Sequence, residues 1–117
     1  MNFTVPHTPD LLLHEAKNEN LYLKLLDQIN KDFNLANEGI DFPQSTKPEE
    51  LQLQLHEKIY RLLQYKFAEY LNLLYIIDVP EDQIKKLDGS DLYQLAEQVA
   101  FLILKREWQK VWFRNKY

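Results

Sequence analysis

The chain has 117 residues and a mass of 14.1 kDa, with 45% apolar and 27% charged residues; that suffices for one buried core and excludes disorder throughout. Its net charge of −4 is uneven: residues 1–50 carry 9 acids and 4 bases, residues 51–100 carry 8 and 5, and residues 101–117 carry 1 and 5. An acidic bulk argues against a general nucleic-acid binder, whereas the basic end suits an anionic partner, the acidic part of its own chain, or that of a second copy.

Only 2 Gly and 5 Pro are present, and four of the Pro precede residue 50. Little is left for tight hairpins or phosphate-cradling loops, which argues against an all-β sandwich and a nucleotide-binding loop. Cys is absent, which removes disulfides, thiolate metal sites and a Cys nucleophile and fits an intracellular home. Met1–Asp10 lacks the basic start and apolar run of a secretion signal. The apolar stretch Leu71–Ile77 is far short of the roughly 20 residues of a membrane helix. The expectation is a cytoplasmic protein with no membrane contact and no cofactor.

In chain order, residues 1–7 read as a flexible arm. Thr8-Pro9-Asp10 is a helix start, a capping hydroxyl followed by Pro at the first helical position. Residues 11–36 then follow helical spacing through Tyr22, Leu25, Leu26, Ile29, Phe33 and Ala36, with a weak point at Lys17–Asn20 where the helix restarts. Asn37-Glu38-Gly39 ends it, and residues 38–47 form the main loop, from which Ile40 and Phe42 tuck back onto the core. Thr46-Lys47-Pro48-Glu49 reads as a capping box. No Gly or Pro interrupts the chain from there to Ile77, and Leu55, Ile59, Leu62, Leu63, Phe67, Tyr70, Leu71, Leu74 and Ile77 make one wide stripe. A helix of about 30 residues would be about 45 Å long, against a radius of gyration of about 13 Å for such a domain. It must cross the whole molecule, or part of it packs on a second copy.

Asp78-Val79-Pro80-Glu81 predicts a short helix over residues 80–87, and Ser90 or Asp88 is expected to cap a last helix from Asp91 to about Asn115. That helix has Leu92, Leu95, Ala96, Val99 and Ile103 on one face and Phe101, Leu104, Trp108, Val111 and Trp112 on an adjoining one, so it needs more than one neighbour. The fold class is all-α: one helical domain over residues 1–117, a bundle of three long helices and one short one.

Chemistry-bearing sets are sparse. His7, His14 and His56 lack the spacing of a helical zinc or di-iron site. Thr4, Thr8, Ser45, Thr46 and Ser90 lie in the arm or at helix starts, where capping explains them. No nucleophile elbow or Gly-rich phosphate loop occurs. Residues 80–103 superficially resemble a helix-turn-helix, but the second helix has no basic residue before Lys105 to read a groove.

The distinctive feature is the basic-aromatic end, residues 105–117. At 100° per residue Arg106, Lys110 and Arg114 line up, flanked by Phe113 and Tyr117, continuing the face that upstream holds Leu92, Val99 and Ile103. They read either as a docking surface for an acidic protein or phosphate backbone, or as cations that offset the helix dipole and keep the end solvated. Trp108 and Trp112, on the other face, are core or dimer-interface anchors. The pattern Ile77-Asp78-Val79-Pro80-Glu81, then Leu102-Ile103-Leu104-Lys105-Arg106-Glu107, Gln109-Lys110 and Arg114-Asn115-Lys116-Tyr117 resembles a family of short uncharacterised bacterial all-helical proteins of unknown function, over roughly residues 60–117. The resemblance implies a bacterial cytoplasmic origin and carries over no functional residue. The reading is a non-enzymatic interaction or assembly module, a homodimer with a protein partner. The alternatives are a nucleic-acid accessory protein using the basic end, and a metal enzyme built from carboxylates and His56.

Overall fold

A computed structural model describes residues 3–116, and among these every regular element is helical. The order is α1 (Pro9–Asn18), α2 (Tyr22–Leu35), α3 (Pro48–Tyr65), α4 (Phe67–Ile77), α5 (Glu81–Lys85) and α6 (Leu92–Lys116). The all-α class is as expected; the division into three long helices and one short one is not, because two of the long segments are each broken in two. No helix among the described residues is long and apolar enough to cross a membrane.

The first break lies where the sequence is weakest. Asn20 takes a left-handed conformation (φ 58°), the N–H of Leu21 bonds to the Ala16 carbonyl at 2.8 Å, and that of Asn20 to Lys17 at 3.0 Å. This double bond pattern satisfies the last carbonyls of α1 and turns the chain into α2. It recurs at Asn37 (φ 60°), which ends α2 with Glu38 bonded to Phe33, and at Asp78 (φ 69°), which ends α4 with Val79 bonded to Leu74. Short polar side chains thus occupy the left-handed position usually left to Gly; the stop expected of Gly39 is made two residues earlier.

The second break is at Lys66, whose backbone (φ −141°, ψ 61°) leaves the helical region between α3 and α4. Lys66 closes α3 with its N–H on the Leu62 carbonyl at 2.9 Å and opens α4 with its carbonyl accepting from Tyr70 N–H at 3.0 Å. A straight rod of about 45 Å would overrun a body of 37 × 28 × 23 Å. Bending at Lys66 brings Tyr70, Leu73, Leu74 and Ile77 back against the core.

Helix starts also differ in detail. Thr8 caps α1 as expected, accepting from Leu11 N–H at 3.1 Å. At α3 the Glu50 carboxylate accepts from Lys47 N–H at 3.4 Å, while the Thr46 hydroxyl donates back to the Pro43 carbonyl at 2.6 Å and caps nothing. Asp91, rather than Ser90 or Asp88, caps α6 by accepting from Gln94 N–H at 3.1 Å. Asp78 closes α4 instead of opening α5, which is shorter than expected.

One apolar core runs through the molecule. α6 is its spine, packed most extensively on α3 and also on α1, α2, α4 and α5, as its two apolar faces require. Phe42 is buried and Ile40 packs against it from the main loop. The arm is described from Phe3, whose ring packs 5.2 Å from that of Trp112 and 5.4 Å from that of Phe113.

Candidate functional site

The basic stripe of α6 does not leave the core at residue 106. It stays against α1, α2 and the end of α4, and its cations are engaged within the chain. Arg106 donates from Nε to the Asp78 carbonyl and from Nη2 to the Asp78 carboxylate, both at 3.0 Å, with Nη1 on Gln109. Lys110 Nζ lies 2.7 Å from Asp32 Oδ2, and Arg114 Nη1 donates to Gln28 Oε1 at 2.8 Å. Lys116 pairs with Glu19 at 2.7 Å, and Lys24 donates to Asn115 at 2.6 Å. Of the three destinations open to the basic end, the structure shows it on the acidic part of its own chain. Trp108 is fully buried with its Nε1 donating to Glu15 Oε2 at 3.0 Å, and Trp112 is buried as well; both are core anchors. Phe113 remains partly exposed, and Tyr117 lies outside the described residues.

Beneath this stripe is a buried acid that charge patterning hides. Glu107 is 0% exposed, and as a carboxylate neither of its oxygens has a hydrogen-bond partner among the described residues. Lys110 approaches one of them to 3.3 Å, close enough to attract but without hydrogen-bond geometry. Burial, reinforced by Asp32 beside it, pushes the Glu107 carboxyl up to about 9, so it is protonated at neutral pH. Protonated, it can donate to Asp32. Burial alone would raise Asp32, but bonds from Glu107, Lys110 and Gln28 outweigh it and hold that carboxyl below its ordinary value. The result is one neutral acid, one carboxylate and one ammonium, packed between α2 and α6. Sequence did carry a signal: Glu107 interrupts the buried row Ala100, Ile103, Val111 at helical spacing.

The three His do not converge. His7 and His14 are exposed, whereas His56 is buried on α3 with Nε2 2.8 Å from the Tyr93 carbonyl oxygen. Among the described residues no group of three His, Cys, Asp or Glu is placed to hold a metal ion.

In α4 the wide apolar stripe expected over residues 55–77 is buried only in part. Phe67, Leu71 and Tyr75 lie at i, i+4 and i+8 and are 56%, 51% and 82% exposed, while Tyr70, Leu73, Leu74 and Ile77 on the opposite face are buried. Both faces of this helix are apolar, and periodicity alone cannot tell which one is covered. Beside the ridge runs a groove of about 470 Å³ between α4 and α5, lined by Leu74, Val79, Pro80 and Ile84 and edged by Leu71 and Tyr75. Arg106 sets the shape of this groove by clamping the Asp78 turn that joins the two helices.

No protein-family model, curated protein or solved structure matches the chain.

Proposed function

We propose that this chain is a small helical interaction module without catalytic chemistry of its own, which pairs with a second copy of itself through the outer face of α4. The observation that carries the reading is the exposed ridge of Phe67, Leu71 and Tyr75 lying beside an apolar groove. The three side chains offer on the order of 300–400 Å² of surface, comparable to the largest apolar patch on a typical monomer, which is often functional. A stable interface takes about 800 Å² per partner, so the ridge supplies the apolar centre and its surroundings the polar rim.

A ridge next to a groove is self-complementary under a two-fold axis: each copy lays its ridge in the other's groove. Charge favours the same arrangement. α4 is preceded by Lys66 and followed by Glu81 and Asp82, so an antiparallel pairing sets each Lys66 near the acids of the other copy. The resemblance of residues 60–117 to short bacterial helical proteins and a cytoplasmic setting belong to this reading and add no activity to it.

Sedimentation equilibrium on the wild type and on Tyr75→Glu tests it. The expected result is a concentration-dependent dimer that Tyr75→Glu converts to monomer without loss of helix content. A wild type that stays monomeric at high concentration overturns it.

A further inference from the structure

From the pairing proposed above, on which this rests, we infer its register: Phe67 is the anchor, seated in the groove between α4 and α5 of the second copy, and the two-fold axis passes beside Leu71.

Ridge and groove do not coincide along α4. The groove lies at the C-terminal end of the helix, where Leu71, Leu74 and Tyr75 line it from α4 and Val79, Pro80 and Ile84 from the turn and α5. Leu71 and Tyr75 are therefore already its walls. Phe67 is exposed on the same ridge and does not line the groove. It stands eight residues before Tyr75, about 12 Å along the helix. A two-fold axis beside Leu71 exchanges the two ends of the ridge. Each Phe67 then comes level with Tyr75 of the other copy, where the groove opens, and the two Leu71 side chains meet. An axis beside Tyr75 sets groove against groove and leaves both Phe67 rings in water. An axis beside Phe67 leaves both grooves empty. The middle position alone covers the whole ridge and fills both grooves, which removes the most apolar surface from water.

Both parts of the contact are formed in the single chain. The turn that closes the groove is made by Asp78 in a left-handed conformation (φ 69°). Arg106 holds it with Nε on the Asp78 carbonyl and Nη2 on the Asp78 carboxylate, both at 3.0 Å. The Phe67 ring is braced by the buried Tyr70, 5.4 Å away between centroids. Little ordering is left for association, which favours affinity. Charge selects the same register. Lys66, next to Phe67, comes to the end of the groove where Glu81 and Asp82 open α5. Lys66 and Asp82 are exposed, and neither forms an ion pair with another described residue.

Sedimentation reads the affinity and disulfide cross-linking reads the register; the chain has no Cys, so each introduced thiol reports alone. Phe67→Ala is expected to weaken the dimer at least tenfold with helix content unchanged. Leu53→Ala, at a similarly exposed apolar position on α3, is expected to leave the affinity as it is. Under oxidation at a concentration where the wild type pairs, Leu71→Cys is expected to link to itself. Phe67→Cys and Tyr75→Cys should each link poorly alone, since each lies about 12 Å along the helices from its own counterpart, beyond the ~7 Å between Cα atoms that a disulfide spans. Mixed, these two should link to each other. A wild-type dimer that Phe67→Ala leaves intact, that fails to link at Leu71, or that links as readily at Phe67 or Tyr75 alone overturns this register and leaves the pairing standing. A monomeric wild type overturns the pairing and the register with it.

Discussion

Lys110 Nζ lies 2.7 Å from Asp32 Oδ2 and so joins α6 to α2 beneath the surface, with the protonated Glu107 held against both. One cation thus faces two acids, and burial with Asp32 beside it favours the protonated form of Glu107.

The sign of the pH dependence follows from Glu107. Its folded value, about 9, lies above the ordinary 4.5. The stability it contributes is complete below the ordinary value and is lost as pH rises toward the folded one, because the unfolded chain releases this proton first. Asp32 is lowered, so its contribution is lost in the opposite direction, as pH falls through its folded value. Thermal unfolding followed from pH 5 to pH 9 should show stability falling by up to about 1.4 kcal/mol per pH unit. Glu107→Gln, which keeps the shape of the neutral acid, should flatten that slope while leaving stability near pH 7 unchanged or higher.

Lys110→Met should lower unfolding free energy by about 3–5 kcal/mol, since it leaves the buried Asp32 carboxylate without its cation. Denaturant titration measures this directly. For the same reason a combined Arg106→Glu, Lys110→Glu and Arg114→Glu variant should lose its helical circular-dichroism signal, a failure of folding rather than of partner binding.

The left-handed helix stops give a third expectation. Asn37→Ala should cost about 1–2 kcal/mol, because a Cβ without a local polar group is disfavoured in that conformation. Asn37→Gly should be neutral or stabilising by a few tenths of a kcal/mol. Denaturation midpoints of the two variants should fall on opposite sides of the wild type, or Gly should match it.

The Tyr22 hydroxyl donates to the Thr46 carbonyl at 2.7 Å and ties α2 to the end of the main loop. Burial, with Glu49 and Glu50 nearby, pushes this phenol up to about 12. Tyr22→Phe should cost about 1 kcal/mol, and spectrophotometric titration of the wild type should find late-ionising tyrosine that this variant reduces, with a remainder from Tyr70, which burial also raises.

Helix content and most helix ends were legible because they are local. Thr8-Pro9 announces a start, Asn18–Asn20 announces a weakness, and apolar spacing marks the core faces of α2 and α6. The bend at Lys66 was not legible: neither Gly nor Pro occurs there, and its cause is the size of the body the helix must fit. The basic stripe was visible as Arg106, Lys110 and Arg114, but its destination required knowing that α2 lies beside α6, a long-range fact. Glu107 follows Lys105 and Arg106 in a basic stretch, and its only sequence signal is that its helical neighbours Ile103 and Val111 are apolar, both of them buried. Phe67 and Leu71 share one stripe with Tyr70, Leu74 and Ile77, and apolar character does not say which side of a doubly apolar helix faces water.

Trp108 has one further consequence. Its indole is sealed among apolar side chains and bonded to Glu15, at the point where α6 meets α1. Its emission should therefore be shifted to the blue in the native protein and move to the red when those two helices separate, and a Trp112→Phe background would make it an intrinsic optical gauge of that junction without any added label.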